Sequence, residues 1–402
     1  MRRAALQLEW PRNRWAVVAA GFVVMGVGYG LIYSLSSYLQ PFSHEFGADR
    51  GPVSFVFGLA AILSLVGGTV AGPIADRYGP RPLCLAAALA YLLGLVLASR
   101  AAALWQVSLA IGLCVGGGVA AVYVPSVAAV QRWFDRQRGL ASAVATSGIG
   151  AGTLLGPLTA SWLIARHGWR TAVLVSGLAA AALTAAASVF LAGRAQRAAA
   201  AGAVAGSGLR EVLRARQFRW LYLALIGTCA VAFFGYGHLI PYAEGRGLDP
   251  VTASLSLAAV GLGSWLGRLG LAPATDWIGH RPSFVLSILA LGGVMLLWLV
   301  LPVPPLGSLL VVGFALGTAF GVFVALSPAI IAEYFGQRAL SAIIGALYTG
   351  AGVGSLLGPW LGGLSFDWTG AYRVAIICAA VVAVAAAGAG LHAGPVRALD
   401  GG

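Results

Sequence analysis

The chain has 402 residues, of which 59% are hydrophobic and only 9% carry a charge. A soluble globular domain carries about 25% charged residues, so this composition excludes one and points to a membrane protein. The formal net charge of +13 would suit a nucleic-acid partner. The arginines, however, flank the apolar segments, so we expect the charge to set membrane topology and expect no nucleic acid.

Long apolar segments follow one another along the chain, each able to cross about 30 Å of hydrocarbon as an α-helix. The twelve predicted spans are 15–38, 52–74, 82–99, 104–129, 139–165, 170–192, 218–242, 251–273, 282–301, 306–331, 339–362 and 370–392. Four arginines precede or open the first span, as in a signal peptide. Its length and the lack of a small-residue cleavage site predict a retained helix.

The 25 arginines are unevenly distributed between the two sides that these spans define, and the chain contains no lysine. Eighteen fall on the side of the termini, six on the opposite side, and Arg268 lies within a span. Cytoplasmic loops carry the excess of positive charge. We therefore expect a multi-pass protein of the cell membrane, in a bacterium the inner membrane, with both termini cytoplasmic.

The sequence offers no pattern for a cofactor or metal. The four cysteines lie in different predicted helices without paired spacing, and the five histidines form no metal-spaced pair. Glycines at 148, 152 and 156, and again at 350, 354 and 358, fail a nucleotide-binding pattern because no strand precedes them. Stripes of small residues instead predict close helix packing.

The chain repeats itself after about 200 residues. Residues 71–82 (AGPIADRYGPRP) align with 271–282 (LAPATDWIGHRP), and Leu-Leu-Gly-Pro ends at both Pro157 and Pro359. We predict two six-helix halves, 1–192 and 218–402, joined by a cytoplasmic linker at 193–217. In proteins built from such repeats the substrate site lies near the bilayer midplane between the halves.

Arg268 is the one charged residue placed deep inside a predicted span, because the other charged residues lie in connections or at span ends. It stands eight residues before Asp276, or roughly 12 Å along a helix. A charge at that depth costs about 2.5–3.5 kcal/mol and normally faces a partner or a watery cavity. Since no predicted span contains a carboxylate to pair with it, an anionic substrate is the simplest partner.

The loop after the second span resembles the signature of the major facilitator superfamily. It reads Gly-Pro-Ile-Ala-Asp-Arg-Tyr-Gly-Pro-Arg from residue 72, and Pro80 departs from the pattern at a tolerated position. The resemblance implies an all-α fold of twelve helices in two pseudo-symmetric halves. It also implies a cytoplasmic gate, made here by Gly72, Asp76, Arg77, Gly79, Arg81 and, in the second copy, Asp276 and Arg281. The alternative is a charged turn that only fixes topology.

A second resemblance is to monocarboxylate transporters and their oxalate:formate antiporter relatives. It rests on residues 133–141 (WFDRQRGLA), the glycines at 148–152, and Gly267-Arg268. In both groups the arginine binds the substrate carboxylate. Ser264 stands where the proton-coupled animal branch has an aspartate, which puts that proton relay in doubt. Ala351 stands where oxalate exchangers have a lysine, which argues against a small dicarboxylate.

Further candidates accompany Arg268. Gly261, Ser264 and Arg268 follow helical spacing, which predicts a small, polar cavity wall. Tyrosines inside spans need hydrogen-bond partners, so they either bind substrate or pack between helices; they are Tyr29, Tyr33, Tyr123, Tyr236 and Tyr348. His238 is the candidate proton carrier near the cavity, its alternative being a histidine bonded to backbone.

The function predicted from these features is secondary active transport of a small organic anion, most simply a monocarboxylate. The carrier would be monomeric in lipid and would use proton coupling or exchange of a second ion, because no ATP-binding loop is present. A carrier of another solute, by dicarboxylate exchange or sugar or drug efflux, is the alternative. A membrane enzyme would need a convergent His, Asp or Glu cluster, which the sequence lacks. A channel or solute sensor stays open.

Overall fold

The structure, a computed structural model, describes residues 14–134, 138–191, 209–271, 275–301, 306–336 and 340–394. Eleven helical runs within these ranges are long and apolar enough to cross a membrane. One of them, Leu140–Ser188, has 49 residues, about twice the length that a single crossing needs. Gly168 divides it with φ 77° and ψ 163°, so the described residues form the twelve predicted spanning helices.

The helices of the first half are α1 (Arg14–Ser34, continuing through a 3-10 turn at Leu35–Tyr38 into Leu39–Phe46), α2 (Arg50–Val66 and Gly68–Tyr78), α3 (Pro80–Ser99), α4 (Leu104–Ile111, a π-helical turn at Gly112–Gly116, and Gly117–Trp133), and the run Arg138–Ser188, divided into α5 (138–167) and α6 (169–188).

The helices of the second half are α7 (Arg216–Glu244), α8 (Pro250–Trp265, with π-helical turns at Leu266–Leu271), α9 (His280–Val300), α10 (Leu306–Phe335), α11 (Leu340–Thr369) and α12 (Arg373–His392). Two short helices, Leu209–Arg214 and Thr275–Ile278, precede α7 and α9. Of the predicted linker 193–217, residues 193–208 lie outside the described part.

Local sequence explains where several helices begin. Asp249 accepts hydrogen bonds from the backbone N–H groups of Val251 and Thr252, at 3.1 and 3.0 Å, and Pro250 occupies the first helical position of α8. Both features satisfy or remove backbone donors that a helix start leaves unpaired. Pro80 opens α3 in the same way, directly after Gly79.

Glycines with positive φ mark equivalent turns in the two halves. Gly47 and Gly247, Gly79 and Gly279, and Gly168 and Gly370 all have φ between 58° and 95°. The pairs are 200, 200 and 202 residues apart, matching the sequence repeat. Other residues adopt this backbone region only at a steric cost. The turns therefore support the predicted division into two halves, which stays a prediction.

Glycine stripes hold pairs of helices in close contact, as predicted. In α5, a Cβ at Gly156 would lie 2.5 Å from the carbonyl oxygen of Gly30 in α1, and one at Gly152 would collide with the carbonyl of Gly26. In α11, a Cβ at Gly358 would collide with the carbonyl of Ala230 in α7. The α1–α5 and α7–α11 seams thus repeat one packing arrangement.

The outer surface of the bundle is apolar. On α3, leucines at every fourth position face outward, with exposures of 44–60% at residues 85, 89, 93 and 97. A soluble protein does not expose such a stripe, whereas hydrocarbon solvates it. The exposed surface therefore fits a bilayer.

The helix connections form two ends. The end that carries Arg14, Phe134 and His392 is called the terminal end: the Arg14 guanidinium lies 5.1 Å from the Phe134 ring centroid there. The opposite end carries the turns after α1, α5, α7 and α11, together with Arg50 at the start of α2, and is called the Arg50 end.

Candidate binding cavity

A cavity lies between the two sets of helices. The cavity has a volume of about 60 Å³, several times what one water molecule needs. Eight helices supply its described lining: Tyr29, Tyr33, Leu65, Tyr123, Ile149, Leu225, Cys229, Phe233, Arg268, Phe320, Phe323, Val324, Ser327, Tyr348 and Ala351.

Arg268 is the charged residue in the described lining. Its Nη1 donates to the carbonyl oxygen of Thr146 in α5 at 3.2 Å, and its buried Nε has no hydrogen-bond partner. No ion pair joins Arg268 to a carboxylate among the residues that the structure describes. A partly buried guanidinium with an unused donor is suited to an anion that enters the cavity.

Two members of the helical face predicted around Arg268 lie outside the described cavity lining. A Cβ at Gly261 would lie 2.6 Å from the Gly150 carbonyl oxygen of α5, so Gly261 belongs to a helix seam. Ser264 is 3% exposed, is absent from the lining and abuts Gly321 of α10. A π-helical turn holds more residues than an α-helical turn. From Leu266 onward the α-helical spacing used for the prediction no longer applies.

Replacing Ser264 tests this placement. We expect Ser264→Asp to lower the yield and thermal stability of the protein, because a carboxylate buried against α10 costs about 3 kcal/mol. Ser264→Ala, the matched control, should be tolerated. Thermal unfolding of the purified variants measures the difference. A stable Asp variant with a new pH dependence of uptake would show that position 264 faces the cavity after all.

Four of the five predicted tyrosines line the cavity. The Tyr29 ring lies 5.9 Å from both the Tyr33 and Tyr123 rings, and Tyr348 adds a fourth ring from α11. Arg268 acts electrostatically on the hydroxyls of all four lining tyrosines. Tyr236 is the exception: it is buried outside the lining, with its ring 4.9 Å from that of Tyr33.

Sequence reasoning missed the wall formed by α10. Phe320, Phe323, Val324 and Ser327 all line the cavity, but none is charged or breaks a pattern. The internal repeat could have predicted this wall, because α10 is the equivalent of α4. Tyr123 lies two residues before the proline of α4, and Ser327 lies one residue before the proline of α10.

At the Arg50 end, α2 and α11 are tied together across the two halves. The Asp367 carboxylate accepts from the backbone N–H groups of Arg50 and Gly51, at 2.9 and 2.7 Å, and so caps the start of α2. The Arg50 guanidinium lies 3.7 Å from the Phe366 ring centroid. In α1, Ser36 Oγ donates to the Gly237 carbonyl of α7 at 2.9 Å. We call these contacts the Arg50 seal.

His238 lies outside the cavity lining and joins this seal through Tyr372 and Pro359, so its predicted role as proton carrier stays a prediction. It is fully buried, with Nδ1 3.0 Å from Tyr372 Oη and Nε2 2.8 Å from the Pro359 carbonyl oxygen. Arg50 Nη1 donates to Tyr372 Oη at 2.6 Å. Because the Tyr372 hydroxyl oxygen accepts from Arg50, this hydroxyl has its own proton to donate. We assign it as the donor to Nδ1, which leaves Nε2–H to bond Pro359.

The seal predicts a specific effect of Asp367. We expect Asp367→Ala to loosen α2 from α11 and raise the labelling rate of a cysteine placed at Leu364 about 100-fold, since the two charge-assisted bonds lost contribute about 1.5–3 kcal/mol each. The native cysteines would first be replaced by alanine. Glu45→Ala is the control, because its 2.8 Å pair with Arg170 lies within one half. An unchanged labelling rate would contradict the seal.

The proposed gate lies at the terminal end and is only partly described. Gly79 turns the chain between α2 and α3 with φ 82°, and Arg77 is exposed. Arg281 Nη2 donates to the Leu391 carbonyl at 2.5 Å, a contact inside the second half. The side chains of Asp76 and Asp276 lie outside the described residues, so the gate stays a prediction, as do the roles of Gly72 and Arg81.

The comparisons agree with this architecture. The sequence model of the Major Facilitator Superfamily matches residues 17–306 and 239–397. The chain therefore belongs to the Major Facilitator Superfamily. It is a multi-pass membrane transporter, not an enzyme, and transports a small molecule.

Its relatives include two mammalian transporters named for monocarboxylates. Monocarboxylate transporter 13 of Bos taurus is 27% identical over 93% of this chain and 88% of its own length. Monocarboxylate transporter 11 of Homo sapiens is 29% identical over 90% of this chain and 79% of its own length. A fungal relative, the fujikurins efflux protein of Gibberella fujikuroi, is 27% identical over 79% of this chain and 68% of its own length.

Proposed function

We propose that this protein is a secondary carrier for a small organic anion, most simply a monocarboxylate, with Arg268 as its counter-ion. The observation that carries the proposal is the unpartnered Arg268 Nε in a cavity whose described lining holds no carboxylate. A guanidinium presents forked donors that match a planar carboxylate. The two mammalian relatives named for monocarboxylates support the same substrate class.

The tyrosines complete the proposed site. Tyr29, Tyr33, Tyr123 and Tyr348 bring hydroxyl groups into the Arg268 field, where they can donate to the oxygens of a carboxylate. Tyr236 and Ser264 lie outside the described lining and act by packing. One cation without a second in the described lining suits a monoanion better than a dianion.

The proposed mechanism is alternating access between the two halves. The Arg50 seal closes one end by joining α1 to α7 and α2 to α11. In the second segment of α2, beyond Gly67, Val70 is 63% and Tyr78 60% exposed. Movement of the halves would break the Arg50 seal and close the terminal end, exposing Arg268 to the other side.

The charge distribution indicates which end of the protein faces the cytoplasm. With eighteen arginines on the side of the termini, we place the terminal end in the cytoplasm. Reporter fusions after residues 48 and 246 should report an outside location, and one after 402 an inside location. A cytoplasmic signal at 246 would contradict this orientation and leave the substrate proposal intact.

Coupling is proposed to be symport with a proton or exchange of anions. Ser264 removes the acid of the animal branch, and His238 has both ring nitrogens engaged in the Arg50 seal. Opening the seal would free His238, so proton binding there would be linked to gating rather than to substrate contact.

Uptake by purified protein in proteoliposomes tests the function. We expect saturable uptake of a radiolabelled monocarboxylate that is accelerated by unlabelled substrate on the opposite side, which a channel does not show. Neutral analogues, in which an amide replaces the carboxylate, should compete poorly. Preference for the neutral analogue would overturn the proposal.

An efflux carrier for another solute is the second candidate, because the Gibberella fujikuroi relative is named an efflux protein. Comparing initial uptake from each side of oriented vesicles distinguishes import from export. The Arg268 site is compatible with either direction.

A further inference from the structure

The lining of the cavity is far more aromatic than binding of a carboxylate alone requires. Seven of the fifteen lining residues have aromatic rings, at positions 29, 33, 123, 233, 320, 323 and 348. Leu65, Ile149, Leu225, Val324 and Ala351 add aliphatic surface. Arg268, Ser327, Cys229 and the tyrosine hydroxyls supply the polar atoms.

The apolar rings are grouped and come from helices other than the one that bears the charge. Phe233 of α7 lies 6.1 Å from Phe320 of α10 in an edge-to-face arrangement. Phe320 stacks with Phe323 at 5.8 Å and an interplanar angle of 17°. We call these three residues the phenylalanine wall. None has a polar side-chain atom, whereas Arg268 enters from α8.

This division of the cavity favours one shape of substrate. A carboxylate bound to Arg268 leaves the remaining body of the substrate among aromatic and aliphatic side chains. Each CH₂ group buried there raises affinity about fourfold. A substrate hydroxyl without a partner lowers it about tenfold. Ring edges and faces of the wall also match an aromatic body.

The same lining disfavours other anions. A second carboxylate would meet no second cation in the described lining, and the ammonium group of an amino acid would meet no carboxylate. Either would leave a charge buried without a partner. Short hydroxylated acids would leave the phenylalanine wall uncovered.

We propose that the cavity selects monocarboxylates with a bulky apolar body, preferably an aromatic ring, over short hydroxylated acids, dicarboxylates and amino acids. This inference rests on the proposed role of Arg268. It adds a specificity determinant, the phenylalanine wall, that recognises the part of the substrate distant from the carboxylate.

The first test is competition for uptake and binding to purified wild-type protein. Phenylacetate should bind at least tenfold more tightly than acetate, and lactate should bind no better than propionate, which lacks only its hydroxyl. Phthalate tests the effect of a second carboxylate, phenylalanine that of an ammonium group, and phenylethanol that of losing the carboxylate. Each should bind at least tenfold more weakly than phenylacetate.

The second test is a variant of the wall. Phe323→Ala should weaken phenylacetate at least fivefold more than acetate. Phe314→Ala is the matched control, because Phe314 lies on the same helix and is 40% exposed on the outer surface. It should not alter the ratio of the two affinities.

The outcomes separate the two proposals. If uptake that depends on Arg268 is at least as strong for acetate or lactate as for phenylacetate, the inference about substrate body is overturned and the carboxylate carrier stands. An unchanged affinity ratio in Phe323→Ala overturns the wall as its determinant. If no carboxylate binds, both proposals fall.

Discussion

Arg268→Ala is expected to abolish carboxylate uptake. The variant removes the charged side chain from the described cavity lining and with it the donors that can hold a carboxylate bidentately. Hydrogen bonds to charged groups contribute about 1.5–3 kcal/mol each, so loss of two lowers affinity by at least about 100-fold. Uptake of radiolabelled carboxylate in proteoliposomes, at equal protein content, measures the loss.

Arg268→Lys separates charge from geometry. Lysine keeps the positive charge but offers a compact ammonium instead of a planar fork. We expect strongly weakened transport, with activity between that of Arg268→Ala and wild type. Transport equal to wild type would show that charge alone suffices.

Both variants should fold and insert normally. Arg268 makes no ion pair among the described residues, so Arg268→Ala relieves a buried charge and Arg268→Lys keeps it, and neither breaks a bridge. Arg166→Ala, an exposed arginine at the Arg50 end, is the control for general effects of arginine loss. Undiminished carboxylate uptake by Arg268→Ala would refute the counter-ion role.

Gly152→Val is expected to prevent assembly of the first half. A Cβ at position 152 collides with the carbonyl of Gly26, and backbone cannot move aside as a flexible side chain can. The whole α1–α5 seam would have to separate, since Gly148 and Gly156 hold the same two helices together. We expect almost no monodisperse protein after extraction in detergent.

Size-exclusion chromatography and thermal unfolding measure this effect. Gly388→Val in α12 is the matched control, because no atom lies within 4 Å of a Cβ built there. Gly358→Val should repeat the defect in the α7–α11 seam. Wild-type yield and stability of Gly152→Val would contradict the close contact of α1 and α5.

The number of helices, their approximate bounds and the repeat could all be predicted from the amino-acid sequence. Each spanning segment must satisfy its backbone hydrogen bonds internally, so apolar length alone predicts a helix. The sequence also predicted close helix packing at the glycine stripes, because close approach of two helices requires small residues at fixed spacing. Arg268 was recognisable since a charge in an apolar segment needs a cause.

The set of residues that meet at the cavity could not be predicted from the sequence, because it depends on how the helices pack. The π-helical turns at Leu266–Leu271 place Arg268 on a different face of α8 from the one that α-helical spacing predicts relative to Ser264. No local sequence pattern predicts these turns. His238 and Tyr236 are inside helices like Tyr29, yet packing buries them elsewhere. The phenylalanine wall carries no charge that would mark it. Which face of a helix lines a cavity depends on its rotation against several neighbours, and that rotation is set by the packing of all twelve helices together.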